Sequence, residues 1–338
     1  MVSKTIASEV QIAILGLGTV GKGVKTILEE NQNSISENIY RLSGVRTTIK
    51  IKKILVRNLP KHSDFDFENK LYTTDFQEIE NDKEIKIVVE LIGGLEQATD
   101  YMCRALQAGK HVVTANKLAI AKSNGCFDLL SKEKSCSFKY EASVAGAIPI
   151  IQVIRESLGA NKITSISGIL NGTTNYILSQ MSQKDTDFSH ALADAQKLGF
   201  AECSPEMDIS GKDAMYKIAI LANLFVGNWV NLEEIKRTGI ESIGQKEIQS
   251  AKQKGNVIKH IAECHYENNE LILSVQPQII EKSHPFFGVD GSENAIIVSC
   301  DNAGEIFMQG KGAGSRPTAS AVISDIMSVV KEIVEARN

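Results

Sequence analysis

The sequence has no long basic run: 37 lysines and arginines stand against 41 aspartates and glutamates, a formal net charge of -4. That balance argues against nucleic acid or an anionic membrane surface as the main partner. Nor does any apolar run approach the length needed to span a bilayer. The opening residues, Met-Val-Ser-Lys-Thr-Ile-Ala-Ser-Glu, lack the apolar core of a signal peptide, and Glu9 leads straight into a predicted strand. A cytoplasmic location is expected. The six cysteines, at 103, 126, 136, 203, 264 and 300, form no Cys-x-x-Cys and no metal-ligand spacing, so they read as reduced thiols, most of them small buried hydrophobes. Cys203 adjoins Glu202 and reads as a bystander. Internal repeats and low-complexity segments are also lacking.

What is present is a chain of 338 residues, 43% hydrophobic and 23% charged, ordinary for a globular protein and long enough for two domains. Val10–Leu15 reads as a buried strand, followed at once by Gly16-Leu17-Gly18-Thr19-Val20-Gly21 and a helix over Thr19–Glu30. Glycines at this spacing permit a tight turn, close approach of backbone to a pyrophosphate and close helix–strand packing, while the helix N-terminus attracts phosphate. The bland alternative is a glycine-rich turn that binds nothing.

Strands at Ile49–Val56, Ile87–Leu91 and His111–Thr114, with a helix over Gln97–Ala108, continue the alternation of a doubly wound sheet; Asn31–Arg46 reads as a polar insertion. Ligands bind at the carboxyl ends of such strands, where Gly93, Thr114, Asn116 and Lys117 fall. A lysine in Lys117's place is by default a solvated surface residue; the position favours a ligand-facing role. The second strand ends in Val56-Arg57-Asn58, with Lys61 beyond, where an NAD site would have an acid. Arginine suits a 2′-phosphate, so NADP is the expected cofactor, with NAD possible.

The pattern changes after Lys139. Tyr140–Pro149 is a small-residue loop that either aims carbonyls and Glu141 at a monovalent cation or is a plain turn, and a helix follows over Ile150–Leu158. The strand Ile163–Leu170 leads into Asn171-Gly-Thr-Thr-Asn175, either an anion site at a helix N-terminus or simple capping by Thr173 or Thr174. Strands at Val257–His265, Leu271–Pro277, Ala295–Ser299 and Glu305–Gln309 imply a second, mostly antiparallel sheet. A glycine turn, Gly310–Gly314, precedes a last helix whose apolar side (Ala321, Val322, Ile326, Val329, Ile333) is expected to pack back on the first domain. The fold class is therefore α/β: a Rossmann-type doubly wound domain from residues 1–139 and 311–338, and an α+β catalytic and dimerisation domain from 140–310.

The richest chemistry lies in Glu202–Lys217, where Glu202, Asp208, Asp213 and Lys217 flank a polar loop and the start of an apolar helix. Asp213 and Lys217 stand four apart, on one helical face beside the stripe Ala214, Ile218, Leu221, Ala222 and Phe225. At the edge of buried surface, neighbouring charge can tune such a lysine for proton transfer. The competing reading is a helix start capped by Ser210 with an ordinary surface pair worth roughly 0.3–0.5 kcal/mol.

Taken in order along nearly the whole chain, these segments resemble homoserine dehydrogenase: Gly16–Gly21, Val88–Gly94, Gly109–Lys117, Glu141–Pro149, Gly168–Ile177, Leu198–Lys217 and Gly310–Asp325. The resemblance implies NAD(P)-dependent interconversion of L-homoserine and L-aspartate 4-semialdehyde, on the route to threonine, methionine and isoleucine, by a homodimer built through the second half. Carried over by motif, Lys217 and Asp213 form the catalytic pair and Lys117 faces substrate and nicotinamide. Glu202 and Asp208 hold the amino-acid end beside Gly172-Thr173. A sodium or potassium site would use Glu141 with the backbone of Val144, Gly146 and Ile148, and Gly314 would approach the cofactor. Three departures stand out: Phe200 where the family usually has tyrosine, Ser204-Pro205 for Asp-Pro, and a less glycine-rich Ala145-Gly-Ala147. Many bacterial relatives carry a C-terminal ACT domain; feedback through one is not expected here. A phosphorylating aspartate-semialdehyde dehydrogenase would need a thiol nucleophile supported by histidine, and no cysteine sits in such a setting. A catalytically silent NADP-binding regulator would have no need of Lys117, Glu202, Asp213 and Lys217 together.

Overall fold

The computed structural model describes residues 8–59, 71–227, 229–268 and 270–337. Lys61 and the first seven residues lie outside them. The chain divides into two compact units, one running to Ser143 and resuming at Gly314, the other Val144–Ala313.

The first unit runs β1 (Ser8–Leu15), α1 (Thr19–Glu30), α2 (Gln32–Ser43), β2 (Thr47–Leu55), β3 (Tyr72–Thr73), α3 (Gln77–Glu80), β4 (Ile85–Glu90), α4 (Glu96–Gln107), β5 (His111–Thr114), α5 (Lys117–Lys122), α6 (Cys126–Glu133) and β6 (Phe138–Lys139). Its sheet is parallel throughout, in the order β3-β2-β1-β4-β5-β6, which reverses between β1 and β4. That reversal opens a crevice beyond the strand ends, the usual seat of a dinucleotide. The sequence reading missed the two-residue edge strands β3 and β6, too short to carry a periodic signal. It also took Asn31–Arg46 for a polar insertion. The segment is a helix: Ile35 and Ile39, one turn apart, are buried, and Gly44 at φ +72 ends it in the left-handed conformation.

The second unit begins with a 3-residue helix, α7 (Ile150–Gln152), behind Pro149, which widens into a π turn over Val153–Ser157. There follow β7 (Ile163–Ile169), α8 (Gly172–Lys184), α9 (Phe188–Lys197), α10 (Glu206–Ile209), α11 (Lys212–Val226), β8 (Lys236–Arg237), α12 (Gln245–Gln253), β9 (Val257–Glu267), β10 (Glu270–Ile280), β11 (Glu293–Cys300) and β12 (Gly304–Lys311). The strands join in the order β12-β11-β7-β9-β10-β8, antiparallel except for the short β8. Tyr176, Ile177 and Met181 of α8 pack with Ala191 of α9, Ile248 of α12 and Ile258 of β9 in its core.

The last helix, α13 (Ser315–Glu335), belongs to the first unit. Val322, Ile326, Val329 and Val330 fall at helical spacing and are buried with Val24 and Leu28 of α1 and Ile39 of α2. Each such side chain removed from water contributes roughly 1.5–3 kcal/mol. Ser315 Oγ also donates to the Thr19 carbonyl at 2.7 Å. Among the described residues, no helix is long and apolar enough to cross a membrane.

Candidate active site

In the first unit, a cavity of about 500 Å³ opens at the carboxyl ends of β1, β2 and β4, lined among others by Gly16, Leu17, Gly18, Val56, Arg57 and Gly93. A Cβ on Gly21 would lie 2.1 Å from the Gly16 carbonyl oxygen, so α1 can start this close to β1 only without a side chain there. A Cβ on Gly18, by contrast, would meet no protein atom within 4 Å. Space left open beside a helix N-terminus fits a pyrophosphate. Thr19 and Val20 form the first turn of that helix. Arg57 is exposed at the cavity wall. Gly314 holds φ +118 at the N-terminus of α13.

Thr114 and Asn116 sit at the expected strand end, but their side chains serve the loop itself. The Thr114 hydroxyl donates to Glu90 Oε2 at 2.6 Å and accepts the Asn116 N–H at 2.9 Å. Asn116 Oδ1 caps α5 by accepting the Ala119 N–H, and its Nδ2 donates to the Gly94 carbonyl. Lys117 is half-buried as the first residue of α5, where a cation gains nothing from the helix dipole. Sequence reasoning passed over Glu90. Fully buried, its carboxylate accepts from the Ile92 and Gly93 N–H groups as well as from Thr114, and burial pushes its pKa up.

In the second unit, Asp208, Asp213, Lys217 and Thr173 come together around Asn171. Lys217 Nζ lies 2.7 Å from Asp213 Oδ2 and donates at 2.7 Å to the Leu170 carbonyl. Asn171 Nδ2 donates to Asp208 Oδ1 at 2.7 Å and to Asp213 Oδ2 at 2.9 Å. The Thr173 hydroxyl donates to the Phe200 carbonyl at 2.6 Å and reaches Asp208 Oδ2 at 3.2 Å. Burial, then the neighbouring Asp213 charge, raises the pKa of Asp208.

Lys217 is 9% and Asp213 4% exposed, so the pair is buried rather than at a surface edge, because α11 is apolar nearly all round. A buried pair of this kind is not the ordinary surface pair of the bland reading. Two capping expectations fail. Ser210 does not cap α11: Gly211, at φ +82, holds that position and the Ser210 hydroxyl is buried without a hydrogen bond. Asn171, not Thr173 or Thr174, caps α8, its Oδ1 accepting the Thr174 N–H at 2.8 Å. Gly172, the first residue of α8, sits so near the Ser292 carbonyl that a Cβ would lie 2.6 Å from it. Glu202 is exposed on the turn after α9. Phe200, also exposed, lays its ring 4.9 Å from that of Tyr176.

Of the residues expected to hold a cation, Glu141 closes the first unit, 4% exposed, its N–H donating to Asp325 Oδ2 at 2.8 Å. Val144, Gly146 and Ile148 open the second, with Ala145 and Gly146 both at positive φ. Among the described residues, no group of three or more His, Cys, Asp or Glu side chains could hold a metal ion. Cys203 is exposed.

Residues 149–327 match the family model described as homoserine dehydrogenase, and residues 16–141 the model described as its NAD-binding domain. The chain belongs to the homoserine dehydrogenase family. Among its relatives, the homoserine dehydrogenase of Bacillus subtilis is 38% identical over 324 residues, 96% of this chain and 73% of that protein. The crystal structure of a homoserine dehydrogenase from Thiobacillus denitrificans superimposes with a TM-score of 0.90 at 39% identity, covering 96% of this chain and 74% of that one. A hyperthermophilic archaeal homoserine dehydrogenase in complex with NADPH gives 0.79 at 28% identity, over 96% of this chain and 98% of that one. The chain is accordingly an oxidoreductase with a nicotinamide-nucleotide-binding domain. Sequence reasoning placed Asn171 in a candidate anion-binding turn but missed that its amide joins two acids of the homoserine dehydrogenase motif. The signal was the amide at the head of Asn-Gly-Thr-Thr, a sequence suited to a helix start.

Proposed function

We propose that the chain interconverts L-homoserine and L-aspartate 4-semialdehyde with a nicotinamide cofactor, on the route to threonine, methionine and isoleucine. The observation that carries this reading is the buried Lys217–Asp213 pair, fixed at 2.7 Å and anchored to the Leu170 carbonyl, in a chain of this family. Homoserine enters with its ammonium toward the acids Asp208 and Glu202, and its carboxylate toward the Gly172 and Thr173 N–H groups at the start of α8. Lys217, in its neutral form, accepts the proton of the terminal hydroxyl. In the reverse direction the protonated amine donates to the carbonyl oxygen and stabilises the charge developing there. Asp213 holds Lys217 in place through both directions. The cofactor, when bound, supplies the hydride exchange at the carbon bearing that oxygen.

We infer NADP as the preferred cofactor from Arg57 at the cavity wall, and the NADPH complex of the archaeal relative supports that choice. In the first unit, Gly16 through Gly21 and Gly314 would admit the pyrophosphate, and Gly93, Thr114 and Asn116 would shape the loops around it. A sodium or potassium ion would use Glu141 with the carbonyls of Val144, Gly146 and Ile148. Tyr266, Ile279 and Phe307, 45%, 61% and 40% exposed, all stand on strands of the second sheet. They support a homodimer built through that unit. Six unpaired thiols are consistent with a reducing cytoplasm. A spectrophotometric assay with homoserine and each cofactor tests the central reading. Absence of homoserine-dependent reduction of either cofactor refutes it.

A further inference from the structure

We infer that Asn171 is a positioning residue of the active site, the amide that holds Asp208 and Asp213 together in their charged forms. The inference rests on the proposed dehydrogenase reading and goes beyond its catalytic pair.

The geometry assigns Asn171 three bonds at once. Its Oδ1 accepts the Thr174 N–H at 2.8 Å and starts α8. Its Nδ2 has two hydrogens, and each is committed to a different acid: Asp208 of α10 at 2.7 Å and Asp213 of α11 at 2.9 Å. The Asp213 oxygen it meets is the one facing Lys217 Nζ, which in turn donates to the carbonyl of Leu170, the residue before Asn171. The amide thus closes a ring through Asp213, Lys217 and the backbone of its own neighbour.

Two carboxylates this close, out of full water, repel each other, and one is driven to take up a proton unless a donor lies between them. Burial and Asp213 both act on Asp208 in that direction, whereas Asn171, Thr173 and the Lys217 charge oppose it. A neutral Asp208 could not attract the substrate ammonium, and an Asp213 turned toward Asp208 would no longer aim Lys217. Asn171 prevents both. A glutamine would carry the same amide one bond too far, and an aspartate would bring a third negative charge.

Among the described residues, the charged groups hydrogen-bonded or ion-paired around Asn171 include Asp208 from α10 and Asp213 and Lys217 from α11. A turn further along α8, Asn175 Oδ1 meets the buried Lys259 Nζ, which pairs at 2.9 Å with the exposed Asp290. His260 of β9 lies under Gly211, and burial lowers its pKa.

Serine caps helices as well as asparagine does but has no amide to share between two acids. Asn171→Ser therefore separates capping from positioning. Expected for Asn171→Ser, assayed well below a thermal midpoint that falls as two hydrogen bonds to acids are lost, is at least a tenfold loss in kcat/KM for homoserine, the ~10-fold or more that one hydrogen bond to a charged group supports. The acid limb of its pH profile should move upward as Asp208 loses a donor, with the KM for cofactor unaltered. Asn171→Asp should move the limb further in the same direction. An Asn171→Ser protein with wild-type kcat/KM and an unmoved acid limb overturns the inference and leaves Asn171 a helix cap. A wild-type protein inactive with homoserine overturns the dehydrogenase reading, and this inference with it.

Discussion

Replacing Lys217 with methionine keeps most of the apolar stem of the side chain on α11 and removes its charge. The structure sets two separate consequences. Asp213, 4% exposed, loses an ion-pair partner at 2.7 Å, while Asn171 Nδ2 still donates to the same oxygen. Breaking a buried pair costs about 3–5 kcal/mol, chiefly because one charge stays buried and unbalanced. With Asn171 still in place the lower figure applies, about 3 kcal/mol, which lowers the thermal midpoint by roughly 6–12 °C in a domain of this size. Turnover falls at least ~100-fold through loss of the proton-transfer group. The double variant Lys217→Met/Asp213→Asn removes the buried carboxylate charge as well. It should recover most of the midpoint without recovering activity, which then sits near that of the single variant, since groups acting as a unit do not add. Differential scanning fluorimetry beside a cofactor-absorbance assay reads both effects. A folded Lys217→Met protein with near-wild-type kcat would remove Lys217 from the chemistry. A double variant no more stable than the single would show that Asp213 is not held by the pair.

Gly21→Ala forces a methyl to within 2.1 Å of the Gly16 carbonyl oxygen, so the first unit should lose thermal stability even without cofactor. Gly18→Ala meets nothing within 4 Å and should leave that stability alone while weakening cofactor affinity in fluorescence titration; unchanged affinity would move the pyrophosphate elsewhere. Arg57→Ala should raise the KM for NADP far more than that for NAD, and equal effects would end the assignment of the 2′-phosphate to this residue. Asp208→Asn should raise the KM for homoserine by at least ~10-fold, as loss of a charged contact would. The same change should stabilise the fold at neutral pH. Because the folded-state pKa of Asp208 lies above its ordinary 3.8, the native protein holds that proton more tightly than the unfolded chain, so this group's contribution to stability falls as pH rises through that window. An Asp208→Asn midpoint below that of the wild type at pH 7 would contradict this.

Local pattern alone sufficed for the dinucleotide turn and its helix, since glycine spacing and a strand of Val, Ile, Ala and Leu are properties of neighbours in the chain. It also placed Asp213 and Lys217 on one face, because a spacing of four has only one meaning on a helix. It was weaker where polar residues hid a buried stripe, as with Ile35 and Ile39 in α2, and neither cap it offered as an alternative is the one the structure uses. Ser210 looked like a cap by type, yet Gly211 adopts a positive φ that no pattern of polarity signals. What the tertiary structure alone decided is which groups meet. Leu170 and Asn171 stand about forty positions before Asp213 and Lys217, and only the packing of α8, α10 and α11 on the second sheet brings them within 3 Å or so. Hydrogen bonds and ion pairs between such distant positions depend on burial and orientation, and neither quantity is a property of a local stretch of sequence.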